Sequence, residues 1–227
     1  MAFGVIGLTQ LKESYIVGEY KLQAGGLLNS AQQTIFVHSL NIDLPRNVTP
    51  SRIRLPPLIA QKIQNTEKEI IEQEKNKIIS ILKFIKRDFN TECWQRPLKS
   101  KIISGFGSFR YLPDGRSYYH TGVDLRAQIN TPIHASASGV VVLAEAMTIP
   151  GNNIIIDHGD GVYSRYMHLS EFKVTVGQEV KKNDIIGLIG ATGRVEAPHL
   201  HWEILWKENH ADPLSFLEAV AQLCDLK

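Results

Sequence analysis

The stretch Ala197-Pro198-His199-Leu200-His201-Trp202-Glu203 places two histidines at positions i and i+2. Successive side chains of a β-strand point to opposite faces, so His199 and His201 share one face. Leu200 and Trp202 share the other face, which can turn towards a core. The stretch therefore predicts a half-buried strand on which two imidazole rings converge on one small volume. By itself, such a pair is compatible with a metal site and with two histidines that merely face solvent.

From Leu98 onward, segments rich in β-favouring residues alternate with turn signals about every eight to twelve residues. The strongest strand candidates are residues 139–143, 153–157, 162–167 and 185–189. The turn signals are Gly151-Asn152, Asp160-Gly161, Val176-Gly177 and Thr192-Gly193. This alternation predicts a mainly β domain over residues 98–227.

The region before this domain divides into two parts. Residues 1–55 carry short β-favouring segments, which predict a small antiparallel β accessory unit. Pro56-Pro57 then marks a change, and residues 58–89 have apolar side chains at helical spacings with Lys and Glu between them. We predict one long amphipathic helix here, within a helix and linker region of residues 56–97. Its apolar stripe is expected to dock on its own chain, although a coiled-coil partner is an alternative.

Composition excludes several classes of protein. The 227 residues are 43% hydrophobic and 21% charged, as in soluble globular proteins. The formal net charge is +2 and the lysines are interspersed with acidic residues, which gives no basis for nucleic-acid binding. No apolar run approaches the roughly 18 to 20 residues that span a bilayer. No signal peptide is recognisable, so we expect either a cytosolic protein or a chain that follows a removed leader.

Ligand-type residues cluster within the predicted β domain. Two cysteines are too few for a cysteine-rich metal site, so a metal would have to be held by histidine and carboxylate. His120 and Asp124 lie four residues apart around a glycine, where a turning backbone can aim both side chains at one point. With either His199 or His201 they form a set of two nitrogens and one oxygen, as in catalytic zinc sites that leave a fourth position to water. His168, at a predicted strand end, is a further candidate for the same pocket.

These residues resemble the lysostaphin/LytM-type zinc peptidases, the M23 metallopeptidase family. The resemblance rests first on His120-x-x-x-Asp124, His168-Leu169 and His199-Leu200-His201. It extends over about residues 98–217, through Ser104-Gly105-Phe106-Gly107, Thr131-Pro132, Asp157-His158-Gly159-x-Gly161, Val176-Gly177-Gln178-x-Val180, Gly187-x-x-Gly190-x-Thr192-Gly193 and Asp212-Pro213. Three positions depart from the family pattern: Asn130 and Ala197 stand where glycine is usual, and His134 stands where an apolar or aromatic residue is usual. Asn tolerates left-handed backbone geometry better than most residues.

The resemblance implies a LytM-like fold of two facing antiparallel sheets, of the duplicated hybrid motif type. It implies His120, Asp124 and His201 as ligands of one Zn²⁺ per chain, and His168 and His199 as the catalytic pair. The implied activity is zinc-dependent endopeptidase hydrolysis of peptide cross-links in bacterial peptidoglycan. The implied location is periplasmic, cell-envelope or secreted. Because the apolar face of the 58–89 helix must be covered and an unrestrained cell-wall hydrolase is hazardous, we expect this helix and the 1–55 unit to pack against the domain and restrict access to the groove.

Two other classes of function remain to be compared with this expectation. A non-catalytic LytM-like protein would bind cell wall or activate another hydrolase after losing zinc ligands, whereas all five implied positions are intact here. A biotin/lipoyl-like or phosphocarrier domain is suggested by residues 176–184. A lipoyl module needs a lysine at a hairpin tip between its two halves, and a phosphocarrier would have no use for Asp124. The remaining histidines are expected to be structural or at the surface: His38, His134, His158 and His210. Cys93 and Cys224 are expected to form a disulfide if the domain termini meet in an exported chain.

Overall fold

A computed structural model describes residues 51–52, 68–82, 92–111, 117–206 and 208–224. The strands are β1 Ser51–Arg52, β2 Ile102–Ser104, β3 Phe109–Tyr111, β4 Ser117–Tyr119, β5 Val123–Arg126, β6 Pro132–His134, β7 Gly139–Met147, β8 Gly151–Asp157, β9 Val162–Phe172, β10 Glu179–Val180, β11 Ile185–Ile189, β12 His199–Trp206 and β13 Asn209–Ala211. The helices are α1 Lys68–Leu82 and α2 Pro213–Cys224. Apart from β1, the small β unit predicted for residues 1–55 lies outside the described residues, as does His38.

The main sheet has the strand order β10-β7-β8-β9-β12-β5-β2, with antiparallel neighbours throughout. Strand β13 pairs with β12, and β11 pairs with both β6 and β9. A separate three-stranded sheet has the order β1-β3-β4, in which β1 and β3 are parallel. The structure therefore confirms a mainly antiparallel β fold, and all four strand candidates from the sequence form strands.

The turn predicted at Gly151-Asn152 is wrong, because both residues belong to β8 and the turn lies earlier, at residues 148–150. Gly151 has φ +63°, and a Cβ atom there would lie 2.4 Å from the Thr192 carbonyl carbon. The glycine is therefore needed for close approach to the loop around Thr192. Asn130 has φ +65°, which confirms that it adopts the left-handed geometry expected at a glycine position.

The principal core lies on one face of the main sheet, between that face and β6 and β11. Leu200 and Trp202 of β12 are fully buried in it, as the alternation along the strand predicts. Tyr166 of β9 and Ile133 of β6 are also fully buried. Since each fully buried apolar side chain stabilises the fold by about 1.5–3 kcal/mol, this core fixes the register of β12. His199 and His201 are consequently directed to the opposite face.

Helix α1 covers part of that opposite face. Leu82 is buried there in a second apolar cluster with Tyr163 and Leu205. The Glu74 carboxylate accepts hydrogen bonds from the Thr148 backbone N–H, at 2.8 and 3.1 Å, and from its hydroxyl, at 2.8 Å. The helix thus docks on its own chain, as expected. The described helix is shorter than the predicted 58–89, and the remainder of that range lies outside the described residues.

Among the described helices, none has the length and apolar character needed to cross a membrane.

Cys93 is in a disulfide, and Cys224 is the one other cysteine in the sequence. The expected intramolecular bridge would tie the segment before β2 to the end of α2. Trp94, next to Cys93, packs its ring edge-on against Phe216 of α2 at a centroid distance of 4.8 Å. The segment before the domain and its C-terminal helix are therefore neighbours.

A series of buried, hydrogen-bonded polar side chains lies in the core, apart from the predicted site residues. His158 Nδ1 donates to the Ser138 carbonyl at 2.9 Å, and His158 Nε2 lies 2.7 Å from the Ser164 hydroxyl. That hydroxyl lies 2.9 Å from the Tyr166 hydroxyl, which also accepts the Ser136 N–H at 3.0 Å. Burial lowers the pKa of His158 to about 4, because desolvation outweighs the backbone hydrogen bond. His158 is structural, in agreement with the sequence analysis.

We predict that His158 makes the domain less stable in acid. The unfolded chain takes up a proton on this ring near pH 6.5, whereas the folded chain does so only near pH 4. Stability is therefore lost as the pH falls through this window, by about 3 kcal/mol at its lower end. Urea unfolding of the wild type and of His158→Gln at pH 7.5 and pH 4 measures the effect. The wild type should lose about 3 kcal/mol more than the variant, and equal losses would show that His158 is not the acid-sensitive group.

Candidate active site

Three of the predicted site residues meet at one point. Asp124 on β5 lies directly opposite His201 on β12, and His120 immediately precedes β5. His120 Nε2 lies 3.0 Å from Asp124 Oδ1 and 2.9 Å from His201 Nδ1, and the latter two atoms are 2.8 Å apart. All three residues are buried. Among the described residues, they form the group whose ligand atoms could share one metal ion.

Gly122 explains why the histidine and the aspartate flank a glycine. A Cβ atom at this position would lie 2.3 Å from the Trp202 carbonyl oxygen and 3.0 Å from His201 Nε2. The first distance is too short for any Cβ atom, and the second is tighter than most Cβ contacts. The glycine therefore lets the segment from His120 to Asp124 pass directly against β12, and this contact brings the three ligand-type atoms together.

The hydrogen bonds on the far side of each ring determine which nitrogen faces the centre. His120 Nδ1 lies 2.8 Å from the Gly105 carbonyl, which can only accept, so His120 Nε2 presents a lone pair inward. His201 Nε2 lies 3.1 Å from the Glu203 carboxylate, so His201 Nδ1 is the inward atom. Two ring nitrogens and a carboxylate oxygen then converge within 3.0 Å of one another. This donor set suits a cation, and its composition matches a zinc site with three protein ligands.

The pKa values of these residues also indicate that the site stabilises a positive charge. Burial acts to lower the pKa of His201, but hydrogen bonds to Asp124 and Glu203 raise it to about 9. Burial acts to raise the pKa of Asp124, but its hydrogen bonds with the two histidines hold it well below its usual range. Burial and the positive charges of His201 and Arg110 lower the pKa of His120, against the effect of Asp124. The site therefore favours one positive charge between these three side chains.

Arg110 on β3 completes the surroundings of Asp124. Its guanidinium donates to Asp124 Oδ2 at 2.8 Å and also to the Ser104 hydroxyl. Burial acts to lower the pKa of Arg110, but the charge of Asp124 raises it. One carboxylate oxygen is thus held by Arg110 while the other points to the two histidines. Sequence analysis missed this residue, because it lies outside the ligand spacing and no local signal ties it to Asp124.

His168 and His199 form a second pair beside the first group. Their ring centroids are 5.1 Å apart, and His199 Nε2 lies 3.6 Å from Asp124 Oδ1. His168 Nδ1 donates to the Thr192 carbonyl at 2.9 Å, and His199 Nδ1 donates to the Ala197 carbonyl at 2.8 Å. Each ring therefore has its Nε2 lone pair available. Burial, with the positive charges of His199 and His201, lowers the pKa of His168 to about 3.

A β-bulge turns His168 towards this pair. Strand alternation would place His168 on the same face as Tyr166, inside the core. The pairing of β8 with β9 advances two residues on β8, from Asn152 to Ile154, but three on β9, from Tyr166 to Leu169. His168 lies in this extra step with φ +66°, a strained geometry for a non-glycine residue. The bulge places the imidazole in the groove with the other site histidines.

The five residues lie in a groove of about 1230 Å³. One side is lined by Ile71, Glu74 and Ile78 of α1, and the rest of the lining includes Tyr118 and Arg194. The groove is large enough for several residues of an extended peptide.

Two other histidines lie apart from the ligand group. His134 Nδ1 lies 2.8 Å from the Asn183 carbonyl, and His210 lines the groove with its Nε2 3.5 Å from Glu203 Oε1.

Comparison with known proteins places this geometry in a family. Residues 118–213 match the model of peptidase family M23. The chain is 42% identical over 126 residues to the peptidoglycan DD-endopeptidase ShyA of Vibrio cholerae, covering 52% of this chain and 29% of ShyA. It is 38% identical over 117 residues to the DD-carboxypeptidase/endopeptidase Mpg of Neisseria meningitidis, covering 51% of this chain and 27% of Mpg. The chain thus spans less than a third of the length of these curated relatives.

A solved structure of an M23 peptidase from Pseudomonas aeruginosa gives the same assignment. It superposes with a TM-score of 0.59 at 28% sequence identity, covering 67% of this chain and 63% of that one. The family match contains His120, Asp124, His168, His199 and His201. The domain that carries these five residues therefore belongs to peptidase family M23.

Proposed function

We propose that this protein is a zinc-dependent endopeptidase that hydrolyses peptide cross-links of bacterial peptidoglycan. The observation that carries the proposal is the convergence of His120 Nε2, Asp124 Oδ1 and His201 Nδ1, with all three atoms within 3.0 Å of one another. The names of the relatives support the substrate class, since ShyA is a peptidoglycan DD-endopeptidase and Mpg a DD-carboxypeptidase/endopeptidase. The intact ligand set favours an enzyme over a non-catalytic LytM-like protein.

In this proposal, His120, Asp124 and His201 would hold one Zn²⁺, while Arg110 donates a hydrogen bond to the second oxygen of Asp124. Zinc bound in such a site supplies Lewis acidity towards a carbonyl and makes a water molecule acidic near neutral pH. The groove beside α1 would hold the substrate as an extended peptide with its scissile bond between the metal ligands and the second histidine pair.

His168 and His199 are proposed to move protons at their Nε2 atoms. Their Nδ1 atoms are engaged with the Thr192 and Ala197 carbonyls, so the Nε2 atoms are directed to the groove. The lowered pKa of His168 keeps the ring uncharged at neutral pH, so the lone pair on its Nε2 is free. A ring that has accepted a proton can then donate it to the developing oxyanion or to the leaving amine.

We further propose three parts for the chain: an accessory β unit at residues 1–55, a helix and linker at 56–97, and the peptidase domain at 98–227. The proposed location is the periplasm or cell envelope. The cell-wall activity named for the relatives supports it, as does the disulfide of Cys93, since disulfides persist in oxidising compartments. The docked position of α1 along the groove supports a restraining role for the region before the domain.

The first prediction from the proposed function concerns this restraint. Glu74→Ala removes the carboxylate that anchors α1 to Thr148, so the helix should loosen and kcat/KM for a cross-linked peptide should rise. Glu72→Ala is the matched control, because Glu72 pairs only loosely with Lys75 of the same helix, at 3.9 Å. Initial rates of the wild type and the two variants measure the effect. An unchanged rate in Glu74→Ala with normal folding would show that α1 does not limit access.

The second prediction separates metal binding from proton transfer. His201→Ala should lose zinc and, with it, activity at every pH. His199→Ala and His168→Ala should retain zinc near stoichiometry but lose activity by about 10²-fold or more, the range for a positioned acid–base group. Zinc content and kcat are measured on folded proteins. Loss of zinc from His199→Ala together with its retention in His201→Ala would reverse the assigned roles.

The third prediction tests the substrate. Purified sacculi incubated with the zinc-loaded protein should release peptide-linked products whose masses correspond to cleaved cross-links, and Asp124→Ala should release none. Mass spectrometry of the soluble fraction identifies which bond is broken. Intact cross-links after incubation with a fully zinc-loaded wild type would contradict the proposal and favour a binding or activating role.

A further inference from the structure

Glu203 is a buried carboxylate directly behind the ligand group, two residues beyond His201 on β12. Its side chain is 2% exposed. Burial of a charged carboxylate is costly unless its oxygens are paired, so its partners indicate which interactions retain it. Strand alternation places His199, His201 and Glu203 on one face of β12, and Glu203 lies outside the group of three ligand-type residues.

Glu203 has contacts with both segments that carry the ligands. His201 Nε2 lies 3.1 Å from Glu203 Oε1, and the same oxygen accepts a hydrogen bond from the Thr121 hydroxyl. Thr121 immediately follows His120 in the segment that passes against β12. One carboxylate oxygen therefore joins the ring of one ligand to the backbone segment that carries the other two.

The ion pair with Arg165 does not account for this arrangement. Arg165 Nη1 lies 3.7 Å from Glu203 Oε2, which has no hydrogen-bond partner among the described residues. Arg165 instead directs its hydrogen bonds to the Asn153 side-chain oxygen, at 3.1 and 3.0 Å. The distance from His210 Nε2 to Glu203 Oε1 is also long, at 3.5 Å. The short, directed contacts of Glu203 are those with the ligand segments.

We infer that Glu203 is a positioning residue for the metal site: it holds His201 with Nδ1 inward and ties the segment from His120 to Asp124 to β12. This inference rests on the proposed zinc site. A carboxylate that accepts the distal N–H of a ligating imidazole fixes the ring's tautomer and orientation and makes the ring a stronger ligand. Because Thr121 shares the same oxygen, loss of Glu203 should loosen both sides of the site together.

The test is the zinc dissociation constant of the full chain, measured by competition with a chromogenic chelator. Glu203→Ala should weaken zinc binding by about 10- to 100-fold, as is typical when an outer partner of a ligating histidine is removed. Glu203→Gln keeps the shape and one acceptor oxygen, so it should rescue part of the affinity. Thr121→Val removes one of the two contacts and should give a smaller loss than Glu203→Ala.

Tyr166→Phe is the control for a merely structural effect, because it removes a buried hydroxyl on β9 that contacts no ligand. Its zinc dissociation constant should match that of the wild type even if its stability falls. If Glu203→Ala does not fold, the comparison of Glu203→Gln with the wild type decides. Wild-type affinity in folded Glu203→Ala or Glu203→Gln would overturn the inference, as would an equal loss in Tyr166→Phe. A wild type that binds no zinc would instead contradict the proposed function.

Discussion

The site depends on one constraint: β5 and β12 pair so closely that Asp124 and His201 lie opposite each other, with His120 beside them. This approach requires Gly122, because any Cβ there would collide with β12. Three acceptor atoms are then held within 3.0 Å of one another, and hydrogen bonds behind the rings prevent them from turning away. Such a cluster needs a positive charge at its centre. A cation is the partner that satisfies all three acceptors together.

The rest of the fold holds this cluster in place. Leu200 and Trp202 fix the register of β12 by burying its other face, so the two histidines cannot exchange faces with them. The bulge in β9 adds His168 to the groove through a strained backbone geometry that regular pairing would not produce. The paired strands β9 and β12 thus carry both buried core residues and the site histidines. The core determines where the ligands point, and the bulge supplies the one site histidine that alternation would have buried.

Much of this was predictable from the sequence. Alternation in residues 197–203 predicted the strand and its two faces, and the resemblance to M23 peptidases supplied the division of His199 and His201 between two roles, which remains a proposal. The bulge at His168 was not predictable, since it arises from a mismatch in pairing with β8 that no local residue marks. Arg110 was missed because it lies on β3 and Asp124 on β5, and no sequence signal shows that these two side chains are in contact. Glu203 could have been noticed, because it continues the row of His199 and His201 at the same spacing.

Zinc binding at the three converging atoms can be observed in crystals of the zinc-loaded protein, with diffraction recorded on both sides of the zinc absorption edge. We expect one anomalous peak per chain, about 2.0–2.2 Å from His120 Nε2, Asp124 Oδ1 and His201 Nδ1. His168 and His199 should lie outside bonding distance of the peak. A peak ligated by His199 in place of His201, or no peak at this position in crystals grown with stoichiometric zinc, would show that the proposed ligand set is wrong.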